Sequence, residues 1–354
     1  MRQLVLCLVV LLIMGKAVAG ENYFSARIPV ANQETSVRQE AIQKALEQVV
    51  IKISGRLDAP TKITDIKDAS RYLRQFRYSA PSDVEREAGV VTLLQVEFDA
   101  AMVRNLLKSS GLNLWPENRP QVLVWAIEDS IDGGRQLITN PKHPIILELL
   151  AQAQLRGLPI LLPLWDLDDQ LLLNDEQLWS FDSESLLSAS SRYDVNTILA
   201  ARYTETSLGE WLGSWQLMHA DVLRSYDVRS PSLTDMAVAA INPAVDLLVE
   251  RYAVNTSAVD AGELKNVVVK GITNYAQYQS ALAYLKKQPL ISSVSLVAIK
   301  GDELHFKVSM SASWQQLNNA FALDRTLRLQ TPALEPWQMS TLGTEAMPAV
   351  YQWQ

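Results

Sequence analysis

The N-terminal part of the chain shows two hydrophobic periodicities in succession. Residues 24–30 alternate apolar and polar positions, which is the pattern of a strand with one buried face. Over residues 37–50 the apolar positions recur every three or four residues, which predicts an amphipathic helix that ends at Gly55. A strand over residues 89–98 and a further helix follow. Residues 20–115 are therefore predicted to form a small α+β domain.

A different alternation follows the proline-containing segment NLWPENRP, which predicts an exposed linker at residues 116–120. The apolar stretches QVLVWAI, LPILLPL and NTILAARY predict buried strands, with helical patterns between them. WLGSWQLMHA and DVLRSYDV add two strands with period-two alternation, and residues 233–252 predict a long helix. Strands separated by helices favour parallel pairing. Residues 119–255 are thus predicted to form a mixed α/β domain whose sheet is mostly parallel with an antiparallel edge.

The last part of the chain follows a second linker, predicted over residues 255–263. A strand, a helix, a hairpin around Gly301, another helix and a strand in RTLRLQ give the order β-α-β-β-α-β. This order predicts a ferredoxin-like domain over residues 262–331. Residues 332–354 predict an irregular tail. The fold class expected for the whole chain is α+β and α/β, in three units.

The first residues have the composition of a cleavable signal peptide. A basic start at Arg2 precedes an apolar stretch over residues 4–14, and small residues stand at Ala17 and Ala19. The stretch is shorter than the roughly 20 residues that span a bilayer as a helix. Residues 1–19 are therefore predicted to be removed by cleavage near Ala19–Gly20, with the mature chain in the periplasm and without a membrane span.

Charge and composition exclude some classes of function. The chain has 39 acidic and 32 basic residues, a net charge of −7. Loss of Arg2 and Lys16 with the signal peptide would make this −9. Nucleic-acid binding is not expected, because that class of protein usually carries a basic face. The single cysteine, Cys7, lies in the signal segment, so the mature chain has no thiolate for a disulfide, a metal site or catalysis.

Several phrases of the sequence resemble a known family. VRQEAIQKALEQVVIKISGR, LWPENRPQVLVWAIED and LRGLPILLPLWDLDD are similar to an exported family of Gram-negative bacteria, the domain of unknown function numbered two-zero-six-six. The likeness extends over nearly the whole mature chain and implies no activity, cofactor or catalytic residue. The middle unit more loosely resembles the amino-terminal α/β domain of TolB-like proteins of envelope assembly, which is a likeness of fold only.

An acidic rim is the first candidate for a ligand site. In α/β sheets, ligands bind beyond the carboxyl ends of the strands. Five carboxylates follow two predicted strands there: Glu128, Asp129, Asp166, Asp168 and Asp169. Such oxygen ligands suit Mg²⁺ or Ca²⁺. The chain lacks the twelve-residue calcium loop, however, and aspartates also favour strand ends because they bond nearby backbone amides. A solvated edge is therefore the first interpretation, and a ligand rim the second.

Tryptophan is the second candidate feature. Five tryptophans lie in the middle unit, and Trp211 and Trp215 occupy the same face of one predicted strand. Aromatic side chains of this kind pack cores, and they also anchor protein interfaces. If that strand is at the sheet edge, these two residues could form a docking surface for a protein or a glycan.

No cofactor motif and no catalytic set stands out in the sequence. The phosphate-binding, dinucleotide-binding and serine-hydrolase signatures do not occur. We therefore expect a non-catalytic interaction or assembly protein of the cell envelope, with no cofactor and with other envelope proteins as partners. The alternatives are a metal-dependent hydrolase acting through the acidic rim, and a glycan-binding module using the tryptophans.

Overall fold

The computed structural model describes residues 22–220, 222–254, 264–288, 290–310, 314–324, 326–330, 342–344 and 346–354. The predicted signal segment 1–19 and the predicted linker 255–263 lie outside these residues. Within the described part, no helix combines the length and hydrophobicity needed to cross a membrane. The predicted fold class is confirmed, since helices combine with three separate sheets in successive parts of the chain.

The N-terminal unit packs one long helix against an antiparallel sheet. Its elements are β1 (Ser25–Val30), α1 (Thr35–Ser54), the 3-10 helices Ala59–Lys62 and Thr64–Tyr72, β2 (Leu73–Ser79), α2 (Asp83–Glu87), β3 (Thr92–Phe98) and α3 (Ala100–Ser109). The strand order is β1-β3-β2. Helix α1 buries Leu46, Val49 and Ile53 in the core. Their spacing of three and four residues places them on one helix face, so burial of that face holds α1 in place.

Most of the segment that leaves this unit is buried. Trp115 is only 1 % exposed, and its backbone N–H donates to the carbonyl of Ile53 at 2.8 Å. The guanidinium of Arg119 lies 3.9 Å from the centre of the Tyr23 ring and 4.1 Å from that of the Trp115 ring. It also donates to the carbonyl of Gly157 in the middle unit. The prediction of an exposed linker at residues 116–120 is therefore wrong for Pro116, Arg119 and Pro120, which are buried, whereas Glu117 is exposed.

The middle unit is a mixed sheet with helices on both faces. Its elements are β4 (Val122–Ser130), β5 (Gly134–Leu137), α4 (Pro144–Arg156), β6 (Ile160–Leu161), α5 (Leu167–Leu172), α6 (Asp175–Trp179), α7 (Ser183–Ser190), the 3-10 helix Ser191–Tyr193, β7 (Thr197–Glu205), β8 (Trp211–His219), β9 (Val222–Ser230) and α8 (Leu233–Tyr252). The strand order is β5-β4-β7-β8-β9, and β6 pairs with β4. Strand β4 pairs in parallel with β6 and β7, whereas β4–β5, β7–β8 and β8–β9 are antiparallel. The sheet therefore has fewer parallel pairs than predicted.

The two faces of this sheet are covered differently. Helices α4 and α8 pack on one face, in a core that includes Leu199 and Trp215. On the other face α6 packs against β4 and β7, and Trp125 lies in the core. The side chains that β9 directs to this second face, such as Leu223 and Asp227, are exposed. The β9 part of the second face is therefore open to solvent.

A buried arginine joins the first two units. Arg156, at the end of α4, is 1 % exposed and donates to the carbonyl of Gly55 and to the carboxylate of Asp246 in α8, both at 2.7 Å. Gly55 ends α1 in the left-handed conformation, with φ at 68°. A Cβ added there would lie 2.2 Å from Cγ2 of Val249 in α8. The N-terminal and middle units are thus in close contact at the end of α1.

The C-terminal unit is built on a five-stranded sheet. Its elements are β10 (Leu264–Lys270), α9 (Tyr275–Lys287), β11 (Ile291–Lys300), β12 (Glu303–Met310), α10 (Trp314–Asp324), β13 (Leu327–Leu329) and β14 (Ala349–Trp353). The strand order is β11-β12-β10-β14-β13. Strand β12 pairs antiparallel with both β10 and β11, which gives the predicted arrangement of a hairpin beside the first strand.

Strand β14 is an addition to the predicted ferredoxin-like order. It runs parallel to β10 and antiparallel to β13, which lies at the sheet edge. Ala349 and Tyr351 are fully buried. The prediction of an irregular tail over residues 332–354 is therefore wrong for Ala349–Trp353, because these residues find strand partners that are distant in the sequence.

Candidate interaction surface

Helix α5 begins at a tight turn in the stretch LPLWDLDD. Trp165 has a φ of 54°, in the left-handed region that few residues other than glycine adopt. The next residue, Asp166, is the N-cap of α5, and its carboxylate accepts a hydrogen bond from the backbone N–H of Asp169 at 3.3 Å. LPILLPL, predicted as a full strand, forms only the two-residue β6 before this turn.

Asp169 is a fully buried carboxylate that closes the turn. It accepts hydrogen bonds from the backbone N–H of Trp165 at 2.8 Å and from the hydroxyl of Tyr193. That hydroxyl in turn accepts from the backbone N–H of Leu164 at 2.8 Å. Burial, together with the hydrogen bond to Asp169, raises the pKa of Tyr193 to about 12, so the hydroxyl stays a donor at neutral pH. Asp169 therefore has a structural role in holding the turn.

Arg192 supplies the cation for the three aspartates. Its guanidinium binds Asp166 through two hydrogen bonds and lies 3.4 Å from Asp169 and 3.7 Å from Asp168. The hydrogen bonds from Arg192 hold the pKa of Asp166 below its usual range, and those to Asp166 raise the pKa of Arg192. Across the described residues, no group of three or more carboxylates and histidines has a geometry that could hold a metal ion. The aspartates thus face an arginine in this structure.

The other two residues of the predicted rim have different partners. Glu128 and Asp129 lie within β4, which continues to Ser130 and pairs with β5. Glu128 lies 3.3 Å from Nε2 of His143, and Asp129 lies 3.7 Å from Nε of Arg135. The prediction that these two residues follow the strand is wrong, because the β4–β5 hairpin extends the strand through them. They do not share the arginine that binds the three aspartates.

Helix α5 has the reverse of the usual polarity. Its buried side chain is that of Asp169, whereas four leucines of this region are largely exposed: Leu164 (73 %), Leu167 (68 %), Leu171 (74 %) and Leu187 on the neighbouring α7 (56 %). Leu167 and Leu171 are four residues apart and lie on one face of α5. Buried polar groups and clustered exposed apolar groups are the informative exceptions to normal burial. We call these four residues the leucine surface.

The leucine surface is held against the core by aromatic packing. Trp165, beside the exposed leucines, contacts the buried Trp125 edge-on with ring centres 5.9 Å apart. Tyr193 contacts the same ring at 6.1 Å, and Nε1 of Trp125 donates to the hydroxyl of Ser190 at 2.9 Å. The leucines therefore project from a turn that is anchored on both sides.

The chain around the leucine surface is acidic. Residues 158–191 contain no lysine or arginine and seven acidic residues: Asp166, Asp168, Asp169, Asp175, Glu176, Asp182 and Glu184. Arg192 interacts with the first three. Asp175 and Glu176 lie in the first turn of α6, Asp182 is the N-cap of α7, and Glu184 lies in its first turn. Carboxylates are favoured at these positions by the helix dipole, and they place negative charge at the starts of the two helices that follow α5 in the chain.

The predicted tryptophan surface is not exposed. Trp215 is fully buried under α8, and Trp211 is half-buried with its ring 5.9 Å from that of Tyr203. Strand β8 is not at the edge, because β9 pairs along its whole length. The prediction of Trp211 and Trp215 as an interface is therefore wrong for Trp215. A different tryptophan, Trp179, lines a depression of about 440 Å³ on the open sheet face together with Arg202.

The sequence pattern did not identify the leucines or Arg192 as parts of one site. One signal was present: a stretch of 34 residues, 158–191, that has acids and leucines but no basic residue. A second was the spacing of Asp166 and Asp169, which fits an N-cap with an acid three residues later. Arg192 lies 26 residues after Asp166, so no local pattern joins them.

Comparison with known proteins concerns the N-terminal unit. Residues 17–116 match the family described as Domain of unknown function (DUF8605). This is a different family from the one numbered two-zero-six-six, so the predicted family resemblance is wrong, and the two families share only their unknown function. The matched residues end before the middle unit and lend no support to its looser resemblance to TolB-like proteins. No curated protein matches the chain.

Proposed function

We propose that the protein is a non-catalytic interaction or assembly protein of the cell envelope, and that it binds a partner protein through the leucine surface. The observation that supports this function is the reversed polarity of α5, which buries Asp169 and exposes Leu167 and Leu171. Burial of a leucine side chain contributes about 1.5–3 kcal/mol. A partner that covers the four leucines would therefore gain several kcal/mol, whereas the free protein leaves this apolar area in water.

Photo-crosslinking in intact cells tests the surface. A photoreactive phenylalanine derivative placed at Leu171 should crosslink to one main protein, and the same residue at Leu208 should not. Leu208 is a matched control, because it is 81 % exposed but lies in the β7–β8 turn. The Leu167→Ser substitution should weaken the crosslink at Leu171, because it removes a neighbouring contact. Equal crosslinking at both positions, or none at either, would contradict the proposed function.

A periplasmic location is part of the proposal and is supported by the sequence of residues 1–19. Fusion of residues 1–25 to a reporter that is active only outside the cytoplasm should give activity, with a mature N-terminus near Gly20. An intact Met1 terminus on soluble cytoplasmic protein would contradict the location while leaving the interaction testable.

The alternative of a metal-dependent hydrolase has no support from the acidic rim. Arg192 already binds Asp166 and lies near Asp168 and Asp169. Metal-dependent hydrolases need an open coordination position beside several protein ligands. A bidentate arginine–carboxylate pair offers no such position.

A further inference from the structure

We infer that the partner segment bound by the leucine surface is a cationic amphipathic helix of another protein, with apolar side chains along one face and lysine or arginine beside them. This inference rests on the proposed function and names the chemistry of the partner. Two properties of the surface lead to it, namely its apolar stripe and its unbalanced negative charge.

Four acidic residues of α6 and α7 form no ion pair within the described residues, although Arg135 and Arg202 pack on the ring of Trp179 at the end of α6. The carboxylates of Asp175, Glu176, Asp182 and Glu184 are exposed, and within the described residues no lysine or arginine nitrogen lies within 4.0 Å of them. Hydrogen bonds from Ser185 lower the pKa of Asp182, which keeps this carboxylate ionised at neutral pH. A partner with basic side chains would meet complementary charge here, and electrostatic complementarity favours both rapid association and specificity.

The same charges disfavour two other occupants. A lipid surface attracts an apolar protein face more strongly when basic residues flank it, because natural bilayers carry anionic lipids. Here the flanking residues are acidic. A second copy of this chain, docked face to face through a twofold axis, would bring the same acidic residues of both copies together. Like charges in contact oppose such a dimer.

The shape of the surface fits a helix. Leu167 and Leu171 are one helical turn apart on α5, and α7 packs beside α5 with Leu187 exposed. An amphipathic helix presents apolar side chains at intervals of three and four residues and binds an apolar groove or stripe through them. Because α5 has only six residues, it covers about 9 Å of a partner helix at 1.5 Å per residue. The remaining length would contact α7 and its acidic first turn.

A binding measurement with defined peptides tests the inference. The full chain without its predicted signal segment is titrated into a fluorescently labelled peptide of about 18 residues, five helical turns, with leucine on one face and lysine on the other. A second peptide carries glutamate in place of each lysine. Vesicles of zwitterionic lipid, with and without anionic lipid, are tested in parallel. Binding is followed by fluorescence anisotropy for the peptides and by flotation for the vesicles.

We expect the lysine peptide to bind and the glutamate peptide not to bind. The pair Leu167→Ser with Leu171→Ser should weaken binding by about tenfold or more, and the pair Asp175→Asn with Glu176→Gln should do the same. Affinity should fall as salt is raised from about 50 to 300 mM, because exposed charges are screened.

Matched controls separate the surface from the overall acidity of the chain. Glu87→Gln with Asp132→Asn removes two exposed charges elsewhere and should change the affinity by less than about twofold, as should Leu208→Ser. Circular dichroism and urea unfolding check that every variant is folded.

Several outcomes would overturn the inference. These are binding of the glutamate peptide as tight as that of the lysine peptide, an equal loss of affinity in the control pair, or stronger association with vesicles than with either peptide. If one of them occurs while the photo-crosslink at Leu171 to a protein remains, only the partner chemistry is wrong. If the crosslink is absent as well, the proposed function is wrong too.

Discussion

Replacing Gly55 by alanine would test the close contact between the N-terminal and middle units. Gly55 ends α1 with a φ of 68°. A Cβ at this position would lie 2.2 Å from Cγ2 of Val249 in α8 and 3.0 Å from Cε3 of Trp115. Real Cβ atoms do not approach other carbons so closely, so α1 and α8 must move apart or the side chain of Val249 must leave its position.

The expected loss of stability has two parts. An L-residue in the left-handed region costs about 1–2 kcal/mol relative to glycine. Inserting a methyl group into a packed contact adds about 1–3 kcal/mol. Gly55→Ala should therefore lower the free energy of unfolding by about 2–5 kcal/mol. Gly111 provides the matched control, because its φ is 66° but no atom lies within 4 Å of an added Cβ. Gly111→Ala should cost only the first part.

Urea unfolding followed by tryptophan fluorescence would measure the difference. Trp115 lies in the contact and is one of nine tryptophans, whose summed emission reports unfolding of the chain. The unfolding midpoint of Gly55→Ala should lie clearly below that of Gly111→Ala at a similar slope. If the two variants lose equal stability, the close contact of α1 with α8 does not exist in solution, and the attribution of the extra cost to packing is refuted.

Three further predictions concern the aspartates before and in α5. Asp169→Ala should lower the free energy of unfolding by about 2–4 kcal/mol, because the backbone N–H of Trp165, the hydroxyl of Tyr193 and the guanidinium of Arg192 lose a buried acceptor. Asp168→Ala should change it by no more than about 0.5 kcal/mol. Equally small losses for both variants in urea unfolding would contradict the proposed network. The lowered pKa of Asp166 means that its contribution to stability is present above the unfolded value of about 3.9 and is lost as the pH falls through the folded value. Arg192→Gln should therefore lower the free energy of unfolding at neutral pH and reduce the further decrease of that free energy on acidification. If the free energy of unfolding of the variant falls with decreasing pH as steeply as that of the wild type, this reasoning is refuted. Millimolar Mg²⁺ or Ca²⁺ should not raise the melting temperature, because the aspartates are paired with arginine; a clear rise that Asp166→Asn abolishes would establish a metal site.

Local periodicity predicts the helices and strands that bury apolar side chains on one face and expose polar side chains on the other. Helix α8 occupies Leu233–Tyr252 as predicted, and α6 (Asp175–Trp179) lies where the sequence shows a helical pattern between two strands. The same reasoning does not predict α5, because its leucines face solvent and its buried residue is an aspartate. A rule that places apolar residues inside cannot find a helix that reverses it.

The candidate site was predictable only in part for the same reason. The aspartates of LPLWDLDD stand out in the sequence, and their interpretation as a solvated edge fits the exposed Asp168 but is wrong for Asp169, which is fully buried. Their pairing with Arg192 depends on how α7 returns to the start of α5, and the burial of Trp215 depends on the position of α8. These contacts join residues that are distant in the sequence, where hydrophobic spacing carries no information.

The position of β14 has a consequence for folding kinetics. Strand β10 pairs with β14 through residues such as Val267 and Ala349, which lie 82 positions apart (349 − 267). Pairings of such large sequence separation form late, because the entropy of closing the loop must be overcome first. Until β14 docks, one edge of β10 stays unpaired even when the β11–β12 hairpin has formed. Such an open edge can pair with strands of other chains. The sheet of the C-terminal unit is therefore completed only after the last residues of the chain, Ala349–Trp353, have docked.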